Sequence, residues 1–144
     1  MMAISIAFLG FNASASSAVE DLDRTATIQM INTKYIPVLD KQLSELRAIK
    51  VKVKSVPSLL KQTNTVLTEL EDNYKTIVEA LGNPNQELKP IIDLCEEEVE
   101  EFENYIYLLN QQISKLKTIT CIKSKNVKKI VGLSPKCPAG YKRK

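Results

Sequence analysis

Between Ile92 and Leu116, apolar residues recur at Ile92, Cys95, Val99, Phe102, Ile106, Leu109, Ile113 and Leu116, alternately three and four apart. A 3.5-residue repeat held over this length predicts a long helix with a coiled-coil seam. Pro90 suits its first turn, where the missing N–H is no loss. A second stripe, Leu60, Thr63, Leu67, Leu70, Tyr74, Ile77 and Leu81, predicts a helix from about Ser58 to Leu81. Ser55 is its expected N-cap, Pro57 lies near its first position, and Gly82 is expected to close it in the left-handed conformation before Pro84. A first helix is expected from about Ala18 to Lys54, with Ile28, Ile31, Tyr35, Leu39, Leu43, Leu46 and Val53 on one face and Pro37 kinking or splitting it.

Helices of about 25–35 residues would be about 38–53 Å long at the standard rise. The short Gly82–Asn85 turn sets the last two antiparallel. The fold class is therefore mainly α: an antiparallel long-helix bundle or coiled-coil hairpin of about three helices. A rival joins the first two helices through Pro57 into one long bent rod, which leaves the first stripe exposed unless a partner covers it.

Periodicity changes at Lys117. Thr118–Lys123 alternates and is β-branched-rich, Ser124–Asn126 is a turn, and Val127–Val131 gives a second strand, so a small C-terminal hairpin is expected. Such a hairpin is marginal alone. Cys121 and Cys137 both lie in this coreless module whereas Cys95 sits on a helix seam, which favours Cys121–Cys137 among the three pairings that three cysteines allow. A reduced tail in a cytosolic protein is the alternative. Cys95 is then either a packed thiol or a candidate interchain thiol.

At the other end, Ala3–Phe11 is a short apolar run followed by the small residues Asn12–Ala18. Ala13-Ser14-Ala15 fits a signal-peptidase pattern, with Ser16–Ala18 a weaker one, so residues 1–18 are expected to be an export signal although no Lys or Arg precedes Arg24. Packing of this run on the core is the alternative. The expected organisation is a leader over 1–18, a helical bundle over 19–117 and a tail over 118–144. Nothing after the leader reaches the continuous apolar length of a membrane span.

The net charge of +3 conceals a division. Residues 1–114 carry 10 basic and 17 acidic residues, net −7, while residues 115–144 carry 10 basic residues and no acid. The chain has no His and no Trp, which excludes His-based catalysis and His-liganded zinc. Four scattered glycines leave no phosphate-cradling loop. The acids Glu96, Glu97, Glu100, Glu101 and Glu103 flank the seam and read as a solvated face rather than a metal or acid–base cluster. Cys95 among those acids, with no base nearby, is a poor nucleophile. No enzyme activity, metal or cofactor is expected. The best candidate surface is basic: Lys123, Lys125, Lys128, Lys129, Lys136, Lys142, Arg143 and Lys144, alternating so as to line one face of the hairpin and meet a polyanion. Anionic envelope polymer, the acidic stretch of a second copy and, more weakly, nucleic acid are the candidate partners, with self-association through the helices. Tyr141 is the tail's only aromatic residue, which supports single-strand stacking poorly.

The tail TITCIKSKNVKKIVGLSPKCPAGYKRK, residues 118–144, resembles a C-terminal segment of exported actinobacterial proteins, with the pattern T-I-T-C-V-K-G-K-x-x-K-K-V-x-x-x-x-P-K-C-P-x-G-Y-K-K. The resemblance covers 27 of 144 residues and includes both cysteines, Pro135, Pro138, Gly140 and Tyr141; Ser124 stands where the pattern has Gly. It implies export and a disulfide-pinned basic hairpin, and no catalytic activity. The function expected is a non-enzymatic structural or adhesive protein of the cell envelope, with nucleic-acid binding through the tail as the alternative.

Overall fold

A computed structural model describes residues 14–144, with side chains from residue 23 onward. The apolar run of the expected leader, Ala3–Phe11, lies outside the described residues, whereas the expected cleavage residues from Ser14 to Ala18 belong to the first turns of α1. Four helical segments, α1 (Ser14–Lys34), α2 (Ile36–Lys52), α3 (Pro57–Gly82) and α4 (Lys89–Ser114), precede three strands, β1 (Lys117–Lys123), β2 (Asn126–Gly132) and β3 (Lys142–Arg143). Because α1 and α2 are separated by Tyr35 alone, the body is a three-helix bundle with one interrupted rod. Pro37 has no N–H for the carbonyl of Thr33, so regular helix breaks there. The break stays mild because Tyr35 N–H still reaches Ile31 O (3.0 Å) and Tyr35 O accepts from Leu39 N–H (3.0 Å).

Between α2 and α3 the chain turns back, which disposes of the single bent rod. Gln42 of α2 donates to Val99 O of α4 (2.8 Å), Arg47 of α2 pairs with Glu71 of α3 (2.8 Å), and Asn73 of α3 donates to Glu98 of α4 (2.8 Å). These pairs run α3 against both α2 and α4. The caps depart from expectation, and proline is the cause in both. Val56, not Ser55, is the N-cap of α3, extended at φ −119° with no side-chain cap bond. A residue before proline is driven extended, and here that buries Val56 at 5% exposure. Gly82 is the last helical residue rather than a left-handed cap; Asn83, held extended ahead of Pro84, closes α3 at φ −94°, ψ 111°. Its carbonyl and that of Gln86 accept from Arg24 (2.6 Å each), so α1 fastens the α3–α4 loop.

The core takes Ile31, Tyr35, Leu39, Leu43, Leu46 and Val53 as the pattern predicts, and adds Ile49. On α3, Leu59, Val66 and Ala80 join Thr63, Leu67, Leu70 and Ile77, while Leu60, Tyr74 and Leu81 are half-buried. On α4 the buried row is Ile91, Cys95, Glu98, Phe102, Ile106 and Leu109, which replaces Ile92 and Val99 of the predicted seam with Ile91 and Glu98. A helix facing two neighbours buries a band wider than one seam, and Ile92 and Val99 form its half-buried edge.

The C-terminal module is a three-stranded antiparallel sheet in the order β2-β1-β3 rather than a two-stranded hairpin. Cys121 is bonded to Cys137. Ile119 and Cys121 are buried within it, and Leu116 and Val131 pack toward the bundle. Gly140, at φ +78°, makes the Pro138–Tyr141 turn that returns the chain to β3; Tyr141 N–H closes it on Pro138 O (3.0 Å). In the β1–β2 turn Ser124 takes φ 53°, a conformation that favours glycine. Ser124→Gly is expected to stabilise the sheet by about 0.5–1 kcal/mol, seen as about a two- to fivefold rise in amide-exchange protection in β1.

Candidate polyanion interface

Strand register decides where the basic residues go. Cys121 lies opposite Lys128 and Arg143, and Ile122 lies opposite Val127 and Lys142. Side chains alternate, so Lys117, Lys123, Lys128 and Arg143 share one face with the disulfide while Lys129 and Lys142 share the other. Lys144 N–H donates to Thr120 O (2.9 Å), carrying β3 along that register. The expectation of a single basic face is thus corrected: Lys128-Lys129 and Lys142-Arg143 are consecutive, and consecutive strand residues point oppositely. All eight predicted residues, Lys123, Lys125, Lys128, Lys129, Lys136, Lys142, Arg143 and Lys144, are exposed. The ion pairs found among the described residues all lie in the helical body, Lys34–Glu96, Lys41–Glu45, Arg47–Glu71, Lys75–Glu79 and Lys89–Asp93.

The disulfide face is not flat. From β2 the segment Leu133–Cys137 crosses over β1, anchored by Cys137, before the chain returns as β3. Between this crossing segment and the sheet lies a groove of about 240 Å³ lined by Lys117, Ile119, Leu133, Ser134, Pro135, Lys136 and Arg143. Lys117 and Ser134 escaped the sequence reading, because Lys117 reads as the end of a helix. The signal available was the i, i+2 spacing of Lys117 and Ile119 on one strand face. At the turn end of the same face, Lys128 Nζ stands 5.1 Å above the Tyr141 ring, and Lys123 Nζ lies 3.2 Å from where a Cβ on Gly140 would be. Lys128 thus covers one face of the Tyr141 ring.

Along the body the acids of α4 do not converge: among the described residues no group of three or more His, Cys, Asp or Glu is placed to hold a metal ion. Cys95 is fully buried in the bundle, its thiol pushed up to about 11 by burial and by Glu98 and Glu96. Cys95 is thus a free, packed thiol within the single chain. The predicted seam packs between α2, α3 and α4 of one chain; Tyr107 and Leu108 are the large hydrophobic residues that α4 exposes.

Glu98, which hydropathy ranked below Val99, is 6% exposed. Burial raises its carboxyl above the ordinary range and Glu101, Glu69 and Glu97 add to this, against the pull of the Asn73 bond. The native state therefore holds this proton more tightly than the unfolded chain, so stability falls as pH rises from the ordinary carboxylate range through the raised native value. Glu98→Gln is expected to remove that slope and to stabilise the bundle at neutral pH by about 1–2 kcal/mol, with the gain shrinking near about pH 4. Urea midpoints at the two pH values measure this; a constant difference would sink it.

Comparison with protein families, curated proteins and solved structures finds no match to this chain. Among the described residues, no helix is long and apolar enough to cross a membrane.

Proposed function

We propose that this chain is an exported, non-enzymatic structural or adhesive protein of the cell envelope, whose helical body is a stalk and whose basic tail attaches it to anionic surface polymer. The observation that carries this is the division of charge along the fold. Ten basic residues and no acidic side chain lie in residues 115–144, in and around the C-terminal sheet, beyond a body of net −7. Charge of one sign concentrated on one module draws a polyanion and keeps it off the acidic remainder. The disulfide supports export, since such bonds persist in oxidising compartments. The resemblance of residues 118–144 to an exported-protein tail agrees with it. The nucleic-acid alternative has the same charge but a single aromatic ring in the tail, Tyr141, with Lys128 over one of its faces.

The test is retention of the full chain on purified envelopes at low and high salt, beside a variant with Lys123, Lys128, Lys136 and Arg143 changed to Gln. Exposed charges act through a screened field, so wild type is expected to bind at low salt and release at high salt, with the variant failing to bind. Retention indifferent to both changes removes the attachment role. Envelope retention left intact while DNA binding is lost would favour the alternative.

A further inference from the structure

We infer that Lys117, Ser134, Lys136 and Arg143 form one phosphate-binding groove, and that it takes the phosphodiester of a polyol-phosphate polymer. This rests on the attachment reading and narrows it to a site.

Three separate stretches of chain supply the cations: β1 gives Lys117, the crossing segment gives Lys136, and β3 gives Arg143. The disulfide fixes two of them, because Lys136 adjoins Cys137 and Arg143 lies directly opposite Cys121. Like charges drawn into one groove repel, and residues 115–144 contain no Asp or Glu side chain to offset them. An anion relieves that repulsion. Arg143 brings a planar fork suited to two phosphate oxygens, the lysines bring point charges from other directions, and Ser134 brings a hydroxyl. Donors on several sides suit a tetrahedral group better than a planar carboxylate. The floor and wall are the apolar Ile119, Leu133 and Pro135, and Ile119 is only 5% exposed, so contacts made here are partly shielded from water.

Size and lining narrow the ligand. Pockets for drug-sized molecules run about 300–1,000 Å³, and at about 240 Å³ this groove holds a phosphate with little beside it. It has no aromatic wall on which to stack a base. Beyond Arg143 the same sheet face continues to Lys128 and Lys123, a track for the next charges of a chain.

The test titrates the full, disulfide-intact chain with a synthetic poly(glycerol phosphate) by calorimetry. It compares the double variant Lys136→Gln/Arg143→Gln with Lys129→Gln/Lys142→Gln, which removes equal charge from the opposite face. All four residues are exposed, so both variants keep the fold. The groove variant is expected to lose about tenfold or more in affinity and the opposite-face variant less than about threefold. Poly-glutamate of equal charge is expected to bind about tenfold more weakly than the phosphate polymer. Equal losses in the two variants overturn the groove and leave attachment by diffuse charge standing. No binding by wild type overturns the groove together with the attachment reading. Binding of oligo(dT) as tight as that of poly(glycerol phosphate) overturns the polyol-phosphate assignment.

Discussion

Replacing Cys121 and Cys137 by serine is expected to unfold the C-terminal sheet while the helical bundle stays folded. The bonded residues are 16 apart in sequence, and a cross-link closing a loop of this size contributes about 3 kcal/mol by restricting the unfolded chain. That is a shift of about a hundredfold in the local folding equilibrium. Little else holds the sheet. Its own buried residues are Ile119 and Cys121, β3 has two residues, and Ser124 sits in a disfavoured conformation. Small antiparallel sheets without a real core are marginal in water. Lys117, Lys136 and Arg143 add mutual repulsion. The bundle should scarcely notice, because the module reaches its core through Leu116 and Val131 at one end. Limited trypsin digestion reads the outcome directly: cleavage after Lys123, Lys125, Lys128 and Lys129 should become rapid in the variant, with an unchanged helical melting curve. A melting temperature that falls in parallel would show the two modules to be one cooperative unit.

What could be read from the sequence, and what could not, follows from the range of the interactions involved. Periodicity is a local property, so the α4 stripe from Cys95 to Leu109 and the kink at Pro37 were legible. So was the shift of period near Lys117, because strand and helix repeats differ within a few residues. Glu98 was not legible. It is three residues after Cys95 and four before Phe102, a seam spacing as good as that of Val99, and only its partner Asn73 on α3 explains its burial. That partner is distant in sequence. The same holds for the groove: strand alternation alone separates Lys128 from Lys129, but the placing of Lys142 and Arg143 depends on β3 adding to β1, which no repeat announces. The caps failed for a nearer reason. Pro57 and Pro84 each dictate the residue before them, and that constraint outweighed the capping preferences of Ser55 and Gly82.

Phe102→Ala is expected to have the converse effect, destabilising the bundle and sparing the sheet. Phe102 is the largest side chain with essentially no exposure, at 1%, and its ring meets Tyr105 at a centroid distance of 5.9 Å. Removing a buried phenylalanine ring costs about 3–5 kcal/mol, because the lost burial is joined by a cavity that long, packed helices close only in part. Single domains hold about 5–15 kcal/mol in total, so this one change removes a large share of bundle stability. Urea unfolding followed by the helical signal should show an earlier midpoint with an unchanged slope. Phe102→Leu, which refills much of the volume, should cost about half as much or less. Under native conditions the Phe102→Ala sheet should keep its trypsin resistance, since its disulfide and register do not depend on the middle of α4. Combining Phe102→Ala with the two serine substitutions makes the argument quantitative. Distant sites without shared partners add to within about 0.5 kcal/mol, so each module in the triple variant should behave as it does in the corresponding parent. A bundle midpoint that drops further when the disulfide is also absent would mean that Leu116 and Val131 couple the bundle to the C-terminal sheet. Additivity would mean that the chain joins a helical bundle to an independently folded, cross-linked C-terminal sheet.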